Sequence, residues 1–169
     1  MRKSNMKKVT IIGLLLLGSA YANADVTRYP LPNNSTFPIA QAVEVTADTV
    51  IIYHSGTTPG AANPDEERGS RAYYGDTETQ ANSVFERMAA SFEKLGVGFE
   101  DVVKMTVFLV GDPEMDGRMD FGGFMKAYSK YFGTEEQPNK PARSAFQIAG
   151  LAGGPGMLVE VEVVIARPK

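Results

Sequence analysis

The 169-residue chain has no cysteine and no tryptophan, and its only histidine is His54. Without cysteine there are no disulfides, no thiol nucleophile, no thiolate-bound zinc and no iron–sulfur cluster. A single imidazole excludes two-histidine metal sites and the His-Glu-x-x-His helix, and leaves one base at most for a Ser-His-Asp arrangement. Positive charge is scarce as well: 17 Lys and Arg stand against 20 Asp and Glu. No broad basic field is present to hold nucleic acid. Chemistry must therefore run on carboxylates, guanidinium, lysine, hydroxyls and backbone groups. What remains is ordinary globular composition, 43% hydrophobic and 22% charged, at a length suited to one domain with a real core.

The first 24 residues read as an address. Arg2, Lys3, Lys7 and Lys8 precede any acid, an apolar run follows from Val9 to about Ala20, and Ala22-Asn23-Ala24 makes a small-residue exit before Asp25. That is the layout of a secretory signal peptide. The run falls short of the ~20 apolar residues that span a bilayer, and without cysteine the N-terminus cannot be lipidated. The expectation is a signal peptide over 1–24 and a single domain over 25–169 with a charge of −7. Such a protein is periplasmic or secreted, with no membrane attachment after cleavage.

Residues 25–38, with three Pro and two Asn, read as an irregular lead-in or edge strand. Val43-Glu44-Val45 and Thr49 to Tyr53 are β-rich runs around Ala47-Asp48, which predicts a hairpin. Gly56 to about Gly75 is a long loop rich in turn formers. Thr77-Glu78-Thr79-Gln80 matches a capping box. Behind it Ala81, Val84, Phe85, Met88, Phe92 and Leu95 fall on one helix face, with Gly96 as the stop. Val102 to Val110 suits a buried strand. A second helix is predicted from about Met119 to Phe132, with Phe121, Phe124, Met125, Tyr128 and Phe132 on one stripe. Arg143 to Ile148 and Leu158 to Ala166 read as strands joined through Gly150–Gly156 as a hairpin loop. The order β-β-α-β-α-β-β predicts an α+β domain, two helices on one face of a mixed sheet.

Several stretches invite chemistry and lose it on inspection. Gly150–Gly156 lies between strands and lacks a following Lys-Ser/Thr, so it is no phosphate cradle. Asp112 to Gly117 opens like a calcium loop, but Gly123 stands where the bidentate Glu belongs, which favours a solvated turn. His54 adjoins Ser55 without a nucleophile elbow, and reads as a strand-end histidine with some solvent contact. Tyr73 and Tyr74, with Arg68 and Arg71, either line a pocket or pack the long loop to the body. Glu160 is harder to dismiss. Alternation puts Val159, Val161, Val163 and Ile165 on the core side and Glu160 with Glu162 on the other. A carboxylate there needs water, a cation or an oligomer neighbour. Arg143 is a cation at the start of the preceding strand. On the residues alone, these two are a structural ion pair, two solvated charges, or a site.

Taken together, Asp101 to Leu109, Tyr128-Ser-Lys-Tyr-Phe132, Pro141-Ala-Arg-Ser144 and Leu158-Val-Glu-Val-Glu162 resemble the RidA (YjgF) family of imine deaminases. Val50 to Gly56 is similar to that family's early strand ending in Ser-Gly, and Pro38-Ile-Ala-Gln-Ala42 to its first motif. The resemblance spans about residues 36–168. It implies a chorismate-mutase-like α+β fold, a homotrimer with active sites in clefts between subunits, and hydrolysis of 2-imino acids to 2-oxo acids and ammonia. The substrates implied are of the 2-iminobutanoate and 2-iminopropanoate type, with no cofactor and no metal. It makes Arg143 the substrate-carboxylate anchor and Glu160 the group that handles the attacking water. Ser55, the Gly56 carbonyl and the Ala145 backbone amide are implied as substrate-binding. The chain departs from the pattern at Ile39, where many members have Tyr, at Met125, where many have Asn, and at Ala145, where Cys is frequent. The loop 59–75 is longer than in compact members. The alternative is a non-catalytic trimeric module that binds small carboxylates. The partner is in either case a small 2-imino or 2-oxo acid and not nucleic acid.

Overall fold

The computed structural model describes residues 26–169; the segment expected to be a signal peptide lies outside the described residues. The elements run β1 (Val26–Tyr29), β2 (Ala42–Val45), β3 (Thr49–Thr57), a one-turn helix α1 (Arg71–Tyr74), α2 (Thr77–Leu95), β4 (Val102–Val110), α3 (Phe121–Tyr128), β5 (Ala142–Ile148) and β6 (Val159–Pro168). Four strands form one sheet in the order β3-β6-β4-β5, with β4 and β5 parallel and the other pairs antiparallel. The α+β expectation holds, and the sheet is mixed.

Alternation decides which face is covered. Met105, Val107 and Leu109 of β4 and Val159, Val161, Val163 and Ile165 of β6 are buried on one side. Against them pack Val84, Phe85, Met88 and Phe92 of α2 and Phe124 and Tyr128 of α3. Each such side chain, fully buried, contributes about 1.5–3 kcal/mol of transfer free energy. Helix α2 stops where foreseen, because Gly96 takes the left-handed conformation at φ 66° that a side chain would resist. The opposite face of the sheet is bare. It carries Ile51, Tyr53 and Phe146 as exposed large hydrophobics, Tyr53 at 81% exposure.

Four expectations are corrected. The hairpin around Ala47-Asp48 does not form: β2 pairs with β1 from Val26↔Val45 to Tyr29↔Ala42. Arg28 pins this ribbon at the foot of β4 by donating to the carbonyls of Val102, Lys140 and Glu100. Nor is Gly150–Gly156 a hairpin loop, since β4 lies between β5 and β6. Helix α3 carries the chain back to the start of β4, so β5 must run parallel beside it, and β6 is left the other side. Residues 149–158 then cross two strand spacings, about 9.6 Å. The capping box is absent too. Asp76 is the N-cap, accepting from the Thr79 N–H at 2.8 Å. Gln80 instead turns inward, donating to the Gly75 and Gly156 carbonyls and accepting from the Leu158 N–H at 2.7 Å. It is fully buried and clamps the crossing loop to α2. Finally, α3 ends at Tyr128 rather than near Phe132; turns carry Phe132 into the core and Gly133, at φ 72°, follows.

Candidate functional site

Arg143 stands on β5, an edge strand, in register with Met105, and this puts its side chain on the helix-covered side. Its guanidinium carbon lies 4.3 Å from the ring centre of Tyr128, 5.4 Å from Phe37, and 5.6 Å from both Phe121 and Phe124. One N–H points at the Met125 sulfur, 3.2 Å away. Among the described residues it makes no ion pair. Burial lowers the Arg143 pKa, with the neighbouring Tyr128 opposing that effect, while burial raises the Tyr128 phenol. A guanidinium stays charged across any ordinary pH. The result is a half-buried cation faced by aromatic rings and lacking an anion.

The segment before β2 completes this cluster. Tyr128 donates its hydroxyl proton to the Pro38 carbonyl at 2.7 Å, and Ala40 N–H donates to Pro141 C=O at 3.0 Å along the outer edge of β5. Ile39 is thereby held beside Arg143's strand, and Met125 touches Arg143 directly. The two pocket-wall departures therefore fall at the anchor. Backbone groups of alternate residues share one side of a strand. The Ala145 amide thus lies on the same outer edge as the Pro141 carbonyl.

Glu160 belongs to a second cluster. Pairing of β3 with β6 breaks between His54↔Val163 and Thr57↔Val161, leaving Ser55 and Gly56 in a bulge. A Cβ at Gly56 would run into the Glu160 carboxylate, so glycine is required for this close approach. Glu160 pairs with Phe108, on the bare face. Helix α2 keys the bulge in place through His54. A carbonyl can only accept, so His54 Nδ1–H donates to Ser55 C=O at 3.0 Å, and in the neutral ring Nε2 accepts from the Ser91 hydroxyl at 2.9 Å. The ring also sits edge-on to Phe92. Beside the bulge a cleft of about 390 Å³ opens, lined in part by His54, Gly56, Arg87 and Lys94, whose cations give it a positive rim.

Within one chain the two clusters do not meet. Arg143 and Ala145 lie on the covered side at the β5 edge; Ser55, Gly56 and Glu160 gather at the β3 edge, with Glu160 on the bare side. Sequence reasoning found both charges but missed Phe37 and Ser91. Phe37 sits in a Pro/Asn-rich stretch without periodicity, and Ser91 is one hydroxyl among many on α2. The remaining candidates are structural. Arg71 grips Asp112 with two hydrogen bonds, at 3.1 and 2.9 Å, and reaches Glu114 at 3.0 Å. Tyr74 is buried and donates to the Gly153 carbonyl at 3.2 Å. These residues pack the long loop to the body, and Arg68 stays exposed. No group of three His, Asp or Glu converges on a metal position among the described residues, and none of their helices is long and apolar enough to cross a membrane.

The family described as endoribonuclease L-PSP matches residues 33–167. A RutC family protein of Synechocystis is 35% identical over 94 residues, 56% of this chain and 64% of that protein, just under two thirds of its length. A RutC family protein of Pyrococcus abyssi is 32% identical over 127 residues, 75% of this chain and 84% of that one. The mouse 2-iminobutanoate/2-iminopropanoate deaminase is 29% identical over 130 residues, 77% and 82% of the respective chains. A solved Rid family structure from Yersinia pestis matches with a TM-score of 0.60 at 20% identity, covering 82% of this chain and 96% of that one, a likeness of fold.

Proposed function

Because the chain belongs to the RidA (YjgF) family, we propose that it hydrolyses 2-imino acids and their enamine tautomers to 2-oxo acids and ammonia, without a cofactor. The observation that carries the reading is Arg143, a half-buried guanidinium with no carboxylate partner among the described residues. A 2-imino acid supplies that carboxylate, and a bidentate pairing fixes the adjacent C=N carbon. Glu160 takes a proton from water as its oxygen bonds to that carbon and passes it to nitrogen, which receives the C=N π pair. It then relays the hydroxyl proton of the resulting carbinolamine to nitrogen as C=O forms, the C–N bond breaks and ammonia leaves. Gly56 C=O accepts from the substrate nitrogen. Free imines hydrolyse in water already, so positioning is the protein's main contribution.

The placement of the two clusters at opposite sheet edges favours a homotrimer. One copy's β5 edge beside the next copy's β3 edge is a head-to-tail contact, which closes into a ring where the rotation between copies is a whole fraction of a turn. The bare face with Ile51, Tyr53 and Phe146 would line that assembly. We further propose export, with Asp25 the first residue of the mature protein in mass spectra of the export fraction. Its acidity counts against RNA as substrate.

The test generates 2-iminopropanoate or 2-iminobutanoate in situ and times the 2-oxo acid. The wild type should accelerate its appearance, and Arg143→Ala should lose roughly 100-fold or more. No acceleration by the wild type would overturn the reading for these two substrates. Thermal stabilisation by 2-oxo acids without turnover would identify a binding module instead.

A further inference from the structure

Resting on the hydrolase reading, we propose that the site selects 2-imino acids with large apolar side chains, branched or aromatic, and that Phe37 is the wall that selects them. Bidentate pairing holds the substrate carboxylate about 3 Å from the Arg143 nitrogens. The substrate's side chain leaves the next carbon, among the groups that surround the guanidinium. Those are the rings of Phe37, Phe121, Phe124 and Tyr128 and the Met125 sulfur. The only good hydrogen-bonding group among them is the Tyr128 hydroxyl, whose proton is already committed to the Pro38 carbonyl. A polar side chain arriving here would give up water for nothing. An apolar one would cover surface that is otherwise wet.

Phe37 is the ring left to be covered. Phe124 and Tyr128 are fully buried, whereas Phe37 is 38% exposed and stacks on Phe121 with centroids 6.5 Å apart. Its backbone is nevertheless tied down. The Phe37 carbonyl accepts from Ile39 N–H at 2.8 Å, its N–H donates to Ser35 Oγ at 3.3 Å, and Tyr128 anchors the next residue. An exposed aromatic on a fixed backbone beside an unpaired cation is a preformed face for a large apolar group. The methyl of 2-iminopropanoate offers it little to cover.

The experiment compares kcat/KM for imines made in situ by an amino-acid oxidase from alanine, leucine and phenylalanine, each corrected for the buffer rate. The wild type should favour the two bulky imines by at least ~10-fold. Phe37→Ala should cost the phenylalanine-derived imine at least ~5-fold more than the alanine-derived one, chiefly in KM, and Phe37→Leu should keep part of the preference. An unchanged Tm shows that the variants are folded. Equal or faster turnover of the alanine-derived imine overturns this proposal and leaves the hydrolase reading standing. An equal loss on all three imines makes Phe37 a mere shield for Arg143, and also overturns it. If no imine is accelerated by the wild type, the hydrolase reading itself fails.

Discussion

A methyl group added at Gly56 would meet the far end of a flexible side chain, the Glu160 carboxylate, and not backbone. The carboxylate can swing aside, so Gly56→Ala should cost little stability while moving the group that handles water. We expect kcat for imine hydrolysis to fall by about 100-fold with Tm little changed, read by the 2-oxo acid assay and a thermal melt on the same sample. At this scale the sequence was legible wherever chemistry and alternation coincide. Arg143 stands out because it adjoins an apolar strand, and Glu160 because the residues at odd spacing from it, Val159, Val161, Val163 and Ile165, are all core. Their surroundings were not legible. The rings over Arg143 come from Phe37, more than a hundred residues earlier, and from Phe121, Phe124 and Tyr128 on another element, and no local pattern announces a guanidinium without a partner.

Among the elements, one buried acid helps to hold the loop 59–75. The Asp112 side chain is only 3% exposed. Burial alone would raise its pKa, but the hydrogen bonds from Arg71 and from the Glu114 N–H, with the charge of Arg71, hold it below the ordinary carboxylate value. A carboxyl with a lowered native pKa lends stability that is complete above its unfolded value, about 3.9, and is lost as pH falls through the native one. Asp112→Asn should therefore lower stability at pH 7 by about 1–3 kcal/mol. The gap to wild type should close below pH 4, as denaturant melts across that range will show. The elements themselves were legible: apolar period two for β4 and β6, three- and four-residue steps for α2, Gly96 for its end. Their pairing was not. Strand neighbours depend on which side α3 returns the chain to, and on Arg28 anchoring the β1–β2 ribbon, and both are long-range facts.

For the whole molecule, the separation of the two clusters makes a prediction that no single chain can satisfy. Arg143→Ala and Glu160→Gln proteins should each be inactive alone. Unfolded together in equal amounts and refolded, they should recover activity, because a cleft with Arg143 from one copy and Glu160 from the next forms in about a quarter of random head-to-tail contacts. Recovery near that fraction of the wild-type rate supports clefts between chains; none at all would mean that both groups act within one chain. The place of β6 has a different consequence. The last strand in chain order is an inner strand of the sheet, pairing Tyr53 with Val164 on one side and Phe108 with Glu160 on the other. No zippering of neighbours along the chain can build this sheet, and loops of a hundred residues must close before β3 finds its partner. The sheet cannot close until the final strand has been made. Until β6 is in place, β3 and β4 share no neighbour, and two of the sheet's three strand pairings are missing.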